Sequence, residues 1–404
     1  PAVQMPDPRF IVDHRDQLSG LLITHAHEDH LGALPYLREQ LRCPVYATPF
    51  AAAALRHKTR GRRGVLPAPL IEVTPGDRSL IGPFSVEWIP VTHSTPETCA
   101  LCISVGQTRI LHTADWKIDA APVVGPAWSD KRFEALGVEG VDAVICDSTN
   151  ALQAGRSVTE GRVAQGLTEA IQRCEGRVIV GCFSSNIARI QTLSQIAADT
   201  GRYLGVLGRS AAGMANCAQQ VGLFPSQFKP IHAEHLGYLP PREVLAIATG
   251  SQGESGAALH RLVAQTHPHL SLDAGDTVIL SSRTIPGNEA PVARLIEGFR
   301  ARGIHVLEAD SSDTPLHASG HPCQDELRDL YQLLKPSLVV PVHGEAAHMI
   351  ANARIAKQAG ASAALTGVNG DLFYLSPVPG VRRRYAPVGR LQWCEDTERL
   401  INVT

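Results

Sequence analysis

Residues 21–37 read LLITHAHEDHLGALPYL and place three histidines and one aspartate within six positions, directly after an apolar run. The apolar run predicts a buried β-strand, and the polar cluster then lies on the loop that follows it. Imidazole nitrogens and carboxylate oxygens are ligands that suit zinc and similar divalent ions. His25 and His27 share one face if the backbone is extended, whereas Asp29 and His30 turn with the chain. Four potential ligands are too many for one ion that keeps an open position, so the stretch favours a two-metal centre.

The composition is that of an ordinary globular protein with more than one domain. The 404 residues include 44% hydrophobic and 19% charged side chains, and no apolar run approaches the length of a bilayer-spanning helix. Nine scattered cysteines are typical of reduced thiols in a cytoplasmic protein. Cys99 and Cys102 form the one C-x-x-C pair and are interpreted as core thiols, with a redox or metal role as the alternative.

Charge gives no strong indication of a partner. The net charge of −2 does not indicate nucleic-acid binding by the whole protein, although it leaves room for a basic groove. Two short basic clusters, at 56–63 and 382–384, are interpreted as solvated surface or as part of such a groove.

The pattern of hydrophobic residues changes twice along the chain and predicts one domain interrupted by another. Short β-rich runs that end in polar residues occupy the region up to about residue 150, and a similar His-bearing pattern returns from residue 310. Strand and helix patterns alternate in between, which predicts a parallel-sheet unit. We therefore divide the chain into a metal-bearing domain at 1–155 and 310–375, an inserted domain at 156–309, and a segment at 376–404. That last segment lacks periodicity and is interpreted as a linker toward a C-terminal domain outside this chain.

The opening stretch resembles the H-x-H-x-D-H signature of the metallo-β-lactamase fold, and later motifs match that family in order. VTHST supplies His93, LHTADWK supplies Asp115 and VPVHGE supplies His343, with Ala114 where a glycine is more usual. The resemblance implies an α/β fold, an αββα sandwich with a metal site at its edge. It also implies two ion sites that share Asp115, with these ligands: His25, His27, His93 and Asp115 for one, and Asp29, His30, Asp115 and His343 for the other.

The long gap between Asp115 and His343 resembles the β-CASP nucleases, in which an inserted domain with a mainly parallel sheet fills that gap. Three motifs match that family in order: Asp147 in CDSTN, His321 in LHASGH and His343 in VHGE. TGSQGE (249–254) and SSRTIPGNE (281–289) are similar to segments of the bacterial ribonuclease J family. The resemblance covers roughly residues 7–375.

The resemblance implies phosphodiester hydrolysis and a role for each remaining motif residue. His321 would donate a proton or contact a phosphate, and Asp147 would orient or charge-balance it, with a capping or turn aspartate as the alternative for Asp147. Asp29 would help to orient the attacking water. A substrate phosphate would be gripped by the loop residues His317, Ser319 and Gly320.

The function that this resemblance implies is 5′-to-3′ exonucleolytic degradation of RNA, favouring a 5′-monophosphate, with some endonucleolytic cutting, in RNA processing and decay. Two Zn²⁺ ions are the expected cofactors, and Mn²⁺ is the alternative because ligand sets of nitrogen and oxygen also accept it. The expected partners are single-stranded RNA, other RNA-degradation proteins and, if the C-terminal domain exists, further copies in a homodimer or larger assembly. The alternatives are a β-CASP endonuclease acting on RNA or DNA, and a catalytically silent RNA-binding subunit of a degradation complex.

Overall fold

The computed structural model describes residues 3–60, 69–225, 228–309, 313–397 and 399–403. Residues 61–63 of the first basic cluster therefore lie outside the described residues. The elements up to residue 147 are β1 (Gln4–Pro6), α1 (Arg9–Asp13), β2 (Leu21–Ile23), α2 (Glu28–Leu31), α3 (Leu34–Leu41), β3 (Val45–Ala47), α4 (Pro49–Thr59), β4 (Leu70–Glu72), β5 (Arg78–Ile81), β6 (Phe84–Pro90), β7 (Cys99–Val105), β8 (Thr108–His112), α5 (Asp130–Glu139) and β9 (Ala143–Asp147).

The middle of the chain alternates strands and helices, as its sequence predicts. Its elements are α6 (Glu160–Gln172), β10 (Val178–Gly181), α7 (Ile187–Asp199), β11 (Tyr203–Leu207), α8 (Arg209–Gln220), β12 (Val244–Ala248), α9 (Ala258–Val263), β13 (Thr277–Leu280), α10 (Glu289–Arg300) and β14 (His305–Glu308). All neighbouring pairs are parallel, and the five strands lie in the order β11-β12-β10-β13-β14. The helices between them are the crossovers that parallel pairing requires.

The remaining elements return to the first sheet. They are α11 (Gln324–Leu334), β15 (Leu338–Val342), α12 (Ala346–Gln358), β16 (Ala363–Ala364), β17 (Leu372–Tyr374), β18 (Gly380–Arg382), β19 (Arg390–Cys394) and β20 (Arg399–Val403). β15 pairs in parallel with β9 and completes a seven-stranded sheet in the order β16-β15-β9-β8-β7-β6-β5. The prediction of an α/β fold with an inserted parallel-sheet unit is confirmed.

Side chains of the seven-stranded sheet pack into cores on both of its faces, because successive residues of a strand point to opposite sides. Ile89 and Cys102 pack with α5, α11 and α12 on one face. Trp88 and Cys99 pack on the other face, toward the three-stranded parallel sheet β2-β3-β4. The outer face of that smaller sheet is covered by α3 and α4, in the same core that continues into the inserted unit. Cys99 and Cys102 thus lie on opposite faces, as core thiols.

The segment at 376–404, which lacks periodicity and is interpreted from sequence as a linker, contains three strands within the described residues. β19 pairs with both β20 and β1, so the segment joins Gln4–Pro6 in an antiparallel sheet. β18 forms a hairpin with β17. The missing periodicity gave no indication of these strands, because pairing with β1 supplies backbone partners that are distant in sequence. The role of the segment as a linker stays a prediction. No helix in the described residues is long and apolar enough to cross a membrane.

A buried polar network fixes the place where the chain enters and leaves the inserted unit. Lys117 and Asp119 form a fully buried ion pair at 3.1 Å, and Asp119 accepts a hydrogen bond from the backbone N–H of Glu160 at 2.9 Å. Glu160 in turn pairs with the fully buried Arg189 at 3.1 Å. The Arg189 guanidinium donates to the carbonyl of Leu316 at 3.3 Å, just before the predicted phosphate-binding loop. One buried cluster therefore contacts both the segment where the chain enters the inserted unit and the segment where it returns.

Candidate metal centre

Every predicted metal ligand lies at the end of a strand or on the short helix that follows one. The ligands are placed as follows: His25 and His27 directly after β2, Asp29 and His30 in α2, His93 after β6, Asp115 after β8 and His343 after β15. β8, β9 and β15 are parallel neighbours, so their carboxyl ends meet at one edge of the large sheet. The structure brings all seven predicted ligands together at this edge.

Four of these residues form one tight group. The possible ligand atoms of His25, His27, His93 and Asp115 all lie within 4.8 Å of one another. His93 Nε2 lies 3.0 Å from His27 Nδ1, and Asp115 Oδ2 lies 3.5 Å from His25 Nε2 and 3.7 Å from His93 Nε2. These separations bracket the edge of a tetrahedron with zinc–nitrogen bonds, which is roughly 3.3 Å.

A second group lies beside the first. Asp29, His30 and His343 bring one ligand atom each within the same 4.8 Å limit. Asp29 Oδ2 lies 3.4 Å from His30 Nε2 and 3.2 Å from His343 Nε2. His30 Nε2 also lies 3.3 Å from Asp115 Oδ2, so the Asp115 carboxylate borders both groups. The Asp115 carboxylate is thus within reach of both groups.

The donor atoms fit a bound cation because several of them lack any other partner. His25 Nε2 and His30 Nε2 are buried 3.5 and 3.3 Å from Asp115 Oδ2 and have no hydrogen-bond partner among the described residues outside the proposed ligands. His93 Nδ1 donates to the carbonyl of Gly320 at 2.6 Å, which leaves His93 Nε2 as a bare lone pair facing His27. Buried polar atoms without partners are costly, and two facing imidazole nitrogens need a proton or a cation between them. The residues present therefore fit a metal centre.

Burial sets the protonation state of the inner imidazoles. It lowers the pKa of His27 to about 3 and that of the fully buried His93 well below 6.5, because a buried imidazolium loses its hydration. Burial alone would raise the pKa of Asp115, but hydrogen bonds from His25 and His30 outweigh it and lower that pKa. Neutral imidazole and ionised carboxylate are the forms that bind metals.

The outer histidines are held differently. Burial acts to lower the pKa of His30, but hydrogen bonds with Asp115 and Asp29 raise it to about 9. Hydrogen bonds with Asp147 and Asp29 raise the pKa of His343 to about 11. In the metal-free protein these two rings hold protons that a cation would have to displace, so metal binding at the outer group releases protons.

Asp147 and His321 form a pair that, with Asp115 and His343, makes a further set of possible ligand atoms within 4.8 Å of one another. His321 Nδ1 lies 2.7 Å from Asp147 Oδ2, and the Asp147 side chain is fully buried at the end of β9. The other Asp147 oxygen accepts from the backbone N–H and the hydroxyl of Thr149 at 2.9 and 2.8 Å. The two interpretations of this aspartate, turn residue and partner of a histidine, are thus both realised, one by each oxygen. Burial acts to lower the pKa of His321, but the Asp147 charge outweighs it and raises that pKa.

The loop around Ser319 has a hydroxyl free to donate. Ser319 Oγ accepts from Asn150 Nδ2 at 2.8 Å and from the backbone N–H of His321 at 3.4 Å, so its own proton is available to a substrate oxygen. A Cβ at Gly320 would lie 2.6 Å from the His93 ring, which explains a glycine at this position. His317 is half-buried, its Nδ1 has no partner among the described residues, and burial lowers its pKa to about 3.

Asn150 also belongs to this site, although no sequence motif predicts it. Its side-chain amide donates to Ser319 Oγ and, at 3.2 Å, to the carbonyl of His321. The one feature of the sequence that could have indicated Asn150 is its position three residues after Asp147, which ends a strand. The HAEH histidines, His232 and His235, belong to no group of three potential ligands within the described ranges.

The backbone conformation at Ala114 explains why a glycine is more usual at this position. Its φ of +54° lies in the left-handed region, which a side chain with a Cβ tolerates at a cost. The strained turn directs the next residue, Asp115, into the metal centre.

Comparison with known families identifies three matching regions. Residues 3–121 match the metallo-β-lactamase superfamily, residues 175–299 match the β-CASP domain of ribonuclease J, and residues 314–365 match the Zn-dependent metallo-hydrolase RNA specificity domain. These regions correspond in order to the first sheet, the inserted parallel sheet and the return to the first sheet.

Several ribonuclease J proteins are similar over most of the chain. That of Sinorhizobium meliloti is 42% identical over 388 residues, which cover 96% of this chain and 68% of the relative. That of Mycolicibacterium smegmatis is 38% identical, over 88% of this chain and 63% of its own length. That of Helicobacter pylori is 34% identical, over 86% of this chain and 50% of its own length. The chain thus spans between half and about two thirds of these relatives. A crystal structure of an Enterococcus faecalis protein of unknown function shares the fold at 15% identity, with a TM-score of 0.57 over 80% of this chain and 75% of that chain.

Proposed function

The chain belongs to the ribonuclease J family, and from that premise we propose that it hydrolyses RNA from the 5′ end, favouring a 5′-monophosphate, with a secondary endonucleolytic activity. The observation that supports this most directly is the position of the Asp147–His321 pair and the free Ser319 hydroxyl beside two groups of metal-binding side chains. That combination offers a proton donor and a phosphate donor next to a site for cations. RNA processing and decay in the cytoplasm is the cellular role that we propose.

The proposed cofactors are two Zn²⁺ ions, with Mn²⁺ as the alternative because both accept ligands of nitrogen and oxygen. The first would be held by His25, His27, His93 and Asp115, and the second by Asp29, His30, Asp115 and His343. Two such cations polarise a phosphodiester and stabilise the negative charge that develops on its attacking and leaving oxygens.

The chain's own residues would then position the substrate and move one proton. Ser319 donates its hydroxyl to a non-bridging phosphate oxygen, and the Gly320 backbone lies close enough to His93 to keep that phosphate beside the metal groups. Asp29 orients the attacking water. His321 holds the proton for the leaving 3′ oxygen, and its other ring nitrogen stays fixed on Asp147, which supports the imidazolium form.

These contacts address the phosphate and carry no information about the base. We therefore propose single-stranded RNA of many sequences as the substrate class. Further copies of the chain and other RNA-degradation proteins are the proposed protein partners.

The test is hydrolysis of a 3′-labelled RNA that carries either a 5′-monophosphate or a 5′-triphosphate, by the purified protein supplied with Zn²⁺ or Mn²⁺. Mononucleotides released mainly from the monophosphorylated RNA would support the proposal. Internal fragments that do not depend on the 5′ end would instead identify an endonuclease. No cleavage despite bound metal would favour a DNA substrate or an RNA-binding subunit without activity.

Two variants assign the activity to the site. His27→Ala and Asp115→Ala each remove one predicted ligand from the first group, so we expect both to abolish cleavage while the far-ultraviolet circular dichroism stays unchanged. Wild-type cleavage by either variant would refute the assigned centre. His232→Ala is the matched control, because His232 lies outside the ligand groups of the described residues.

A further inference from the structure

The carboxyl edge of the five-stranded sheet extends away from the phosphate-binding loop in one row. Leu207, Ala248, Gly181 and Leu280 lie side by side across β11, β12, β10 and β13. The residues that follow them leave the sheet at the same edge. At the β13 end of the row, Ser281 donates its hydroxyl to the carbonyl of Leu316 at 2.5 Å, which ties this edge to the 317–320 loop.

A cavity of about 630 Å³ lies at the other end of the row, where β11 and β12 end. Its walls are the segments 208–210, 249–258 and 261–268. Glycines shape it: a Cβ at Gly208 would lie 2.3 Å from Thr249 Oγ1, and one at Gly250 would lie 2.7 Å from the Ala257 Cβ. The volume is that of a site for a nucleotide-sized ligand. In open α/β sheets, the crevice outside the carboxyl ends of the strands is where ligands bind.

The lining of the cavity carries a net positive charge, with two arginines against one carboxylate. Arg209 and Arg261 both line it, are exposed, and form no ion pair within the described ranges. The one carboxylate in the lining, Glu254, turns back on its own loop and accepts the backbone N–H of Gln252 at 2.9 Å. His267 is also in the wall, and burial together with His269 and Arg261 lowers its pKa, so it adds no charge at neutral pH.

Hydroxyl groups complete the lining. Ser210, Thr249 and Ser255 all contribute to the walls. Guanidinium groups together with hydroxyls are the donors that recognise phosphate, and an unpaired arginine can bind it with two parallel hydrogen bonds. Among the described residues no Phe, Tyr or Trp lines the cavity, and His267 is the one ring in its wall, so the lining is better suited to a phosphate than to a stacked base.

One side chain connects the cavity wall to the phosphate-binding region. Gln252, which is buried, follows the cavity residue Thr249 by three positions and donates its amide to the carbonyl of Arg283 at 3.0 Å. Its amide oxygen accepts the backbone N–H of Ile285 at 2.8 Å. The segments 249–254 and 281–289 are therefore joined by hydrogen bonds along the sheet edge.

We infer that this cavity binds a backbone phosphate of the same single-stranded RNA that Ser319 holds by a phosphate beside the metal groups, a few nucleotides along the strand. The inference rests on the proposed ribonuclease function. β11 and β12 lie two to three strand positions from β13, which at ~4.8 Å per strand places the cavity roughly 10–14 Å from the Ser281 end of the row. An RNA of several nucleotides can cover that span. A dinucleotide held at Ser319 is too short to reach the cavity. The cavity would thus set affinity for long RNA without touching the bond that is cleaved.

The test compares Arg209→Ala/Arg261→Ala with a matched control, Arg173→Ala/Arg242→Ala. The control arginines are also exposed, but they precede β10 and β12 and lie at the opposite edge of the same sheet. Binding of a labelled 5′-monophosphorylated dodecamer is followed by fluorescence anisotropy over a range of KCl concentrations, in a His321→Ala background so that cleavage does not consume the probe. Hydrolysis of the dodecamer and of a 5′-monophosphorylated dinucleotide is measured without that background change.

We expect the cavity variant to bind the dodecamer roughly tenfold more weakly or worse, because charge-assisted hydrogen bonds to phosphate are lost. The slope of log Kd against log salt should fall by about 0.7 for each phosphate contact removed. KM should rise for the dodecamer alone, with kcat and the dinucleotide KM unchanged. Unchanged binding and slope, or equal weakening in the control variant, would overturn the inference.

A free nucleotide is the other source of the same phosphate chemistry. If labelled AMP binds the wild type but not the cavity variant, and dodecamer binding is equal in both, the cavity holds a free nucleotide and the RNA-backbone inference is wrong. The failure of the proposed function gives a different pattern. Wild-type protein would then bind the dodecamer through the cavity with the expected salt slope, yet would not cleave it under any metal condition.

Discussion

Gly320→Ala is the change that most directly tests how the metal centre and the phosphate-binding loop are joined. A Cβ at position 320 would lie 2.6 Å from both Cε1 and Nδ1 of His93 and 2.8 Å from Ser94 Oγ. Ordinary contact begins at 3.4 Å, so the ring would have to retreat by about 0.8 Å. His93 cannot retreat freely, because it is buried and its Nδ1 donates to the Gly320 carbonyl.

The expected cost of that displacement appears in both stability and rate. Overpacking of a tight site costs about 1–3 kcal/mol of unfolding free energy. A misplacement near 1 Å in a catalytic site lowers the rate by about 100-fold. We therefore expect Gly320→Ala to lower kcat on monophosphorylated RNA by one to two orders of magnitude and to reduce the bound metal per chain.

The assay combines kcat, metal content by plasma emission spectroscopy and the thermal midpoint, with Gly380→Ala as the control. A Cβ at Gly380 meets nothing nearer than 3.9 Å, so this control should retain all three values. Wild-type kcat and metal content in Gly320→Ala would refute the coupling of His93 to the loop. A loss confined to the thermal midpoint would show that the loop adapts without disturbing the ligand.

Three further outcomes follow from contacts described above. Asp147→Asn should lower kcat by about 10²–10⁴-fold, because His321 loses a charged partner. The amide oxygen can still accept the hydrogen bonds from Thr149, so the thermal midpoint should be retained. A kcat within twofold of wild type would contradict the pairing. Dialysis against a chelator should lower the thermal midpoint, since a cation at 100 times its Kd stabilises the native state by about 2.7 kcal/mol, and returned Zn²⁺ or Mn²⁺ should restore it; an unchanged midpoint would argue against the centre. Glu160→Gln should lower the free energy of unfolding in urea by about 3–5 kcal/mol, because Arg189 stays buried without its counter-charge. Asp329→Asn, in an exposed pair with Arg156, should lower it by less than about 1 kcal/mol. Equal losses would show that the buried pair adds no more stability than the exposed one.

The arrangement of the ligands could be predicted because each ligand motif sits where a strand ends. His25, His93, Asp115 and His343 follow apolar runs that the sequence marks as strands, and parallel strands bring such ends to one edge. The order of the motifs then indicated the interrupted domain, which the structure and the family comparisons confirm. The assignment of individual ligands to two ions stays a prediction.

Residues whose role depends on a distant partner could not be predicted. Asn150 is an ordinary polar residue until the fold places Ser319, 169 positions away, against its amide. Gln252 and Arg189 act in the same way, since their partners lie on other segments of the sheet edge. The strands at 376–404 escaped prediction because they are short and only partly buried, and β19 finds its partner β1 at the other end of the described chain.

The interrupted sheet also sets an order of assembly during synthesis. His343 follows Asp115 by 228 residues, and at roughly 5–20 residues per second the ribosome needs about 10–45 s to cover that interval. The proposed first ligand group is therefore made well before the second, while the parallel unit, whose strands pair among themselves, can fold in between. While those 228 residues are made, a nascent chain would carry a half-built centre close to the messenger being translated. Hydrolytic capacity would arise only after the late strand β15 has docked beside β9, so the split of the domain delays the enzyme until residue 343 has been made and that strand has paired.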